Sequence, residues 1–171
     1  SIGIFSRGGS RSVGAVGAGL GGILFGLQFM SQALVPLTEH PLFLSILMLS
    51  NTHDGAAVVG GALMTAVVQS SSAVTGLLVG LTDTGVFPVR GAVAACLGSN
   101  VGTVFTTILA AVTGGTAARR TAFADLLFNI FGVMLFFPIL GPYVHWIEGL
   151  SSDPGRQVAH AHSFLNVFTV F

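Results

Sequence analysis

Gln69-Ser70-Ser71-Ser72 and Gly98-Ser99-Asn100-Val101-Gly102-Thr103 interrupt two long apolar runs with hydroxyl and amide groups that carry no formal charge. An unpaired polar group in hydrocarbon or a dry core costs several kcal/mol, so such residues persist only facing protein, water or a ligand. Gln69 both donates and accepts, while Ser70, Ser71 and Ser72 each donate once and accept twice. Ser99 and Asn100 add oxygens in the second cluster, and Gly98 and Gly102 permit close backbone approach. Thr103, Thr106 and Thr107 bring hydroxyls onto adjoining faces one turn on, and Thr65 could join the first cluster. Neutral oxygens of this kind suit a hard cation such as sodium. A break in a helix adds free N–H groups for an oxyanion on one side and free carbonyls for a cation on the other. A bound cation then offsets the charge of a buried anion. Ser and Thr in apolar helices often do no more than bond their own i−4 carbonyl. The tetrad between two apolar arms, paired with a second Gly-flanked cluster, favours ligand binding over that reading.

The elements that would position these groups are apolar helices. A run from about Val13 to Leu37 is long enough to span at roughly 20 residues. Its glycines Gly17, Gly21, Gly22 and Gly26 fall at the spacing that lets another helix approach closely. Leu42 to Ser50 is too short to span and reads as interfacial or packed beneath a hairpin, and Asn51 or Asp54 could cap the helix that follows. The arms Ala56 to Val68 and Ala73 to Leu81 flank the tetrad, and neither can cross about 30 Å alone. They form either one kinked span or, as favoured here, a re-entrant hairpin with Gln69 to Ser72 at its tip. Gly91 to Val112 reads as a helix broken at Gly98 to Gly102. Ala122 to Trp146 reads as a long span containing Asn129 and Pro138. A last helix beginning at Gln157 carries His160, His162 and Asn166. Arg119 to Val133 also aligns without gaps on Arg156 to Val170, matching Ala124 with Ala161, Asn129 with Asn166 and Phe131 with Phe168.

Of the 171 residues, 52% are hydrophobic and 7% charged. A soluble domain carries about 25% charged residues, so this inventory cannot build a water-facing surface. Six basic residues, all arginine, balance six acidic ones, which argues against nucleic acid as a partner. The single cysteine, Cys96, sits in an apolar run and reads as a small core residue. The chain begins without Met and stops at Phe171 in an apolar run, as a piece of a longer protein would.

At the two polar clusters the chain resembles the sodium/phosphate cotransporter family. Gln69 to Ser72 and Gly98 to Thr103 look like its paired hallmark segments. Leu24 to Ala33 is similar to the leading helix of each repeat, and Arg119 to Asn129 and His162 to Asn166 to its closing helices. Asp125 stands where the family often has His, and Val104 where a second Thr is common. The resemblance covers roughly residues 13–171, with 1–12 a linker or preceding loop. It implies an all-α membrane protein: one inverted-topology repeat, the second of a bacterial-type member and truncated at its C-terminus, with a re-entrant helical hairpin and a broken transmembrane helix. It implies sodium-coupled transport of inorganic phosphate and no catalysis. Sodium is a co-transported ligand rather than a cofactor. It places Ser70, Ser71, Ser72, Ser99 and Asn100 near phosphate, and Gln69, Ser70, Ser99, Thr103 and Thr106 near sodium. The expected partners are membrane lipid and the first repeat of the same transporter in a multi-pass cell-membrane protein, with a homodimer left open. Two rivals remain: a non-transporting membrane anchor or assembly subunit, and an intramembrane serine hydrolase using His160 or His162. The hydrolase lacks a Gly-x-Ser-x-Gly elbow and an orienting acid.

Overall fold

Small side chains decide which helix occupies the centre. A computed structural model describes residues 8–34, 36, 40, 41, 45, 49, 50 and 52–170, and its regular structure is helical. The helices are α1 (Gly8–Leu34), α2 (Asp54–Val68), α3 (Ser71–Asp83), α4 (Val89–Val112), α5 (Thr116–Phe136), α6 (Leu140–Glu148) and α7 (Pro154–Val170). Residues 1–7, most of the expected interfacial segment and the candidate cap Asn51 lie outside the described residues. The first half of α4, rich in Ala and Gly, is buried from Gly91 to Asn100. The core closes over it with Leu77 and Leu78 of α3, Phe136 of α5, Tyr143 and Ile147 of α6, and Val158 and Leu165 of α7.

Contacts between helices fix their directions. Asp54 and Arg90 pair near the starts of α2 and α4; farther along, Gly98 lies against Val58, and Gly102 against Ala62 and Thr65. The two helices therefore run side by side in one direction. After Gln69 and Ser70 the chain turns back, so that Thr75 of α3 meets Cys96 and Phe87 packs against Gly91. α7 runs opposite to α3, with the Gly155 N–H donating to Asp83 at 2.7 Å and His162 meeting Thr75 at 3.2 Å. Arg90 and Asp54 make a hydrogen-bonded ion pair at 2.6 Å, but the Arg90 side chain is 54% exposed. Exposed pairs contribute about 0.2–1 kcal/mol, so Arg90→Ala should lower the melting temperature only slightly. A large drop in a thermal scan would show that the pair is shielded from solvent.

Three expectations are corrected. Gly98 to Thr103 is not a break: α4 is continuous from Val89 to Val112. Its glycines are contact points, since a Cβ at Gly98 would meet the Val58 carbonyl, and one at Gly102 the Ala62 carbonyl. The span expected over Ala122 to Trp146 is instead divided, with α5 and α6 bent by 77° at residues 137–139. Pro138 has no N–H to continue the α-helical ladder, and the chain tightens through Ile139 N–H to Phe136 O at 3.2 Å. Asp54 does not cap α2; it is the helix's first residue, its carboxylate is paired with Arg90, and the N-cap position is held by His53 without a side-chain capping bond. Among the described residues α4 is long and apolar enough to cross a membrane alone, and α5 with α6 qualifies as a bent pair. The α1 helix begins at Gly8, ahead of the expected Val13, and among the described residues nothing lies within 4 Å of a Cβ placed at its Gly17, Gly21, Gly22 or Gly26.

Candidate functional site

The tetrad makes the joint between α2 and α3. Gln69 ends α2 in the left-handed region at φ 59°, with its N–H on the Thr65 carbonyl. That conformation costs a non-glycine residue about 1–2 kcal/mol. Ser70 is extended and caps α3, its Oγ accepting from the Ala73 N–H at 3.3 Å. Ser71 and Ser72 open the helix, so the positive end of its dipole lies at the joint.

Ser71 lines a cavity of about 250 Å³ with Asn100, Thr103 and Val104 of α4, Asp125, Phe128 and Asn129 of α5, and Asn166 of α7. Hydroxyl, carboxamide and carboxylate groups from four helices thus converge beside the start of α3. Asp125 supplies the formal charge of this lining. Its Oδ2 accepts from Thr107 Oγ1 at 3.1 Å and its Oδ1 from Asn129 Nδ2 at 3.0 Å. Carboxylate, amide and hydroxyl oxygens form a donor set fit for a hard cation. The N–H groups of the first turn of an α-helix, here opened by Ser71 and Ser72, are of the type that receives an oxyanion.

The sequence-predicted residues divide among different surroundings. Ser71, Asn100 and Thr103 line this cavity together. Thr103 also donates to the Ser99 carbonyl at 3.0 Å. Ser70 is occupied as a cap, and Gln69 is exposed at the joint. Ser72 lines a neighbouring cavity of about 330 Å³ with Thr75, His162 and Ser163. Ser99 is fully buried and donates to the Cys96 carbonyl at 2.8 Å, while Thr106 donates to the Thr103 carbonyl at 2.7 Å. Neither Ser99 nor Thr106 reaches the cavity lining. Thr65 is buried against α4, and its hydroxyl finds no hydrogen-bond partner.

Asp125, Asn129 and Asn166 were outside the predicted set. The signal that marks two of them is the internal echo, which pairs Asn129 with Asn166. The hydrolase reading gains no geometry: His160 is exposed, and His162 is engaged with Thr75 and Asn166 at 3.2 and 2.9 Å.

The profile of the Na+/Pi-cotransporter family matches residues 22–148. The Bacillus subtilis uncharacterized protein YqeW is 36% identical over 159 residues, covering 93% of this chain and 52% of that protein. A Salmonella typhimurium protein named putative inorganic phosphate export protein YjbB is 31% identical over 158 residues, covering 91% of this chain and 28% of its own length. Sodium-dependent phosphate transport protein 2B of Homo sapiens is 44% identical over 120 residues, or 66% of this chain and 17% of that protein. The chain therefore spans about half of the first relative and less of the others. No solved structure matches it. With the profile covering most of its length and polar groups gathered beside the serine joint, the chain belongs to the Na+/Pi-cotransporter family, a family of membrane transporters.

Proposed function

We propose that this chain supplies half of a sodium-coupled site for inorganic phosphate in a multi-pass transporter of the cell membrane. The observation that carries the reading is the cavity formed by Ser71, Asn100, Thr103, Asp125, Asn129 and Asn166 beside the N-terminus of α3. Phosphate is held by the Ser71 hydroxyl and the amides at the start of α3 together with Asn100, and among the described residues no arginine lines the cavity to replace them. Sodium takes oxygens from Asp125, Thr103 and the carboxamides, and its charge makes the anion less costly to bury. Gln69, Ser70, Ser99 and Thr106 serve by shaping the joint and α4 rather than by lining the cavity. The α2–α3 pair is a re-entrant hairpin, and the chain is the second of two inverted repeats. The first repeat contributes the other half-site and membrane lipid covers the outer face. Residues such as Val13, Phe25, Phe123 and Met134 stand exposed, as lipid contact would require. Rocking of one bundle against the other then gives alternating access.

The test is phosphate uptake into liposomes by the purified full-length protein, with inward sodium or potassium gradients. Uptake should need sodium. Ser71→Ala and Asn100→Ala should each raise the phosphate concentration for half-maximal uptake about tenfold, the equivalent of ~1.4 kcal/mol. Equal uptake in potassium would remove sodium coupling, and unchanged uptake in both variants would remove the site assignment.

A further inference from the structure

The internal echo has a counterpart in hydrogen bonding. The offset that sets Asn129 on Asn166 also sets Asp125 on His162. In both places the residue one turn earlier meets the amide nitrogen of the asparagine. Asn129 Nδ2 donates to Asp125 Oδ1 at 3.0 Å and to the Asp125 carbonyl at 2.9 Å. Asn166 Nδ2 lies 2.9 Å from His162 Nε2. A carboxamide carries donors at one end and an acceptor at the other, so a partner that only accepts determines which end is turned elsewhere. Both asparagines line the same cavity from different helices.

We propose that His162 is a positioning residue and that Asp125, beside its own contact with the ion, acts in the same way, each holding the amide nitrogen of the asparagine one turn on, so that Asn129 and Asn166 present carbonyl oxygens to a sodium ion in the cavity. This rests on the reading of that cavity as a sodium site. For the carboxylate the role is forced, because Asp125 in its charged form has no proton to give. For the imidazole it depends on the tautomer: accepting at Nε2 requires the proton on Nδ1. In that tautomer Thr75 Oγ1 of α3, 3.2 Å from Nδ1, is the acceptor for the Nδ1–H. The Thr75 hydroxyl faces Cys96 Sγ at 3.9 Å on its other side. A threonine on α3 thus accepts from the tautomer that the amide requires, the imidazole holds the amide nitrogen, and the amide turns an oxygen to the ion. The two asparagines become equivalent ligands although one is held by a carboxylate and the other by a neutral ring.

The experiment compares His162→Gln, His162→Ala and Thr75→Val in the purified full-length protein. Two quantities are read: the sodium concentration that half-saturates thermal stabilisation, and the sodium dependence of phosphate uptake. Gln carries an amide oxygen able to accept from Asn166, so His162→Gln should stay within about threefold of wild type. His162→Ala frees the amide and should raise both sodium half-saturation values about tenfold, with a smaller change in maximal rate. Thr75→Val removes the acceptor for Nδ1–H and should move sodium affinity the same way, which keeps the test decisive if the alanine variant fails to fold. Normal sodium affinity in both His162→Ala and Thr75→Val overturns the proposal. So does a His162→Gln protein that folds and loses as much affinity as His162→Ala. A wild-type protein indifferent to sodium removes the cavity reading and this proposal together. Sodium stabilisation that is equal in all variants removes this proposal alone.

Discussion

Gly98→Val is expected to prevent the stable packing of α2 on α4. A Cβ at Gly98 would run into the Val58 carbonyl, and one helical turn on Gly102 has the same relation to the Ala62 carbonyl. Backbone cannot rotate aside as a side chain can, so relief requires the helices to separate along their shared face. Overpacking typically costs about 1–3 kcal/mol, and an obstruction made by backbone belongs at or above the top of that range. Much of the protein should then elute as aggregate in detergent, and any folded fraction should melt well below wild type. Gly80→Ala is the control, because nothing lies within 4 Å of a Cβ there. It should leave the protein unharmed or gain about 0.5–1 kcal/mol from removing a helical glycine. A Gly98→Val protein that melts like wild type would show that α2 and α4 are not pressed together as described.

Asp125→Asn should produce the largest functional loss. The variant keeps an oxygen that can accept from Asn129 but removes the formal charge from the cavity lining. A unit charge about 4 Å from a cation is worth roughly 4 kcal/mol at an effective dielectric of 20. Solvent in an open cavity reduces this, so about 1.4–2.8 kcal/mol is expected, a ten- to hundredfold rise in the sodium concentration for half-maximal uptake. Asp125→Ala removes the charge and also the hold on the Asn129 amide, and should be worse than Asp125→Asn. Sodium curves in which Asp125→Asn overlays wild type would exclude the carboxylate from the ion's surroundings.

The first polar cluster was legible because a run of four polar residues has no packing use between apolar arms. A Gln in the left-handed region and a Ser cap then divide the helices where the sequence suggested. The second was misread because glycines four apart serve equally to break a helix or to seat a neighbour, and only the partner distinguishes the two. On α1 the same spacing reads as a packing face, and among the described residues nothing comes within 4 Å of a Cβ at Gly17 or Gly21. The bend at Pro138 was underestimated because a proline in a long apolar run marks either a kink or a change of direction. Of the cavity lining, Ser71, Asn100 and Thr103 followed from local motifs. Asp125, Asn129 and Asn166 come from helices remote in sequence, and only the repeated Asn hinted that two of them belong together. Ser99 and Thr106 bond carbonyls of their own helix, and composition cannot tell a hydroxyl turned to a ligand from one satisfied in that way.

The Asp83 carboxylate accepts from the Gly155 N–H across 72 positions of chain. The beginning of α7 therefore owes one of its caps to the end of α3, beside the one supplied locally by Asp153 to the Arg156 N–H at 2.9 Å. Two segments made far apart during synthesis share a fastening, and fraying at either loosens both. The clasp ties the rear of the serine joint's second arm to the helix that carries Asn166, so that a displacement of that arm pulls on an asparagine of the cavity from the opposite end.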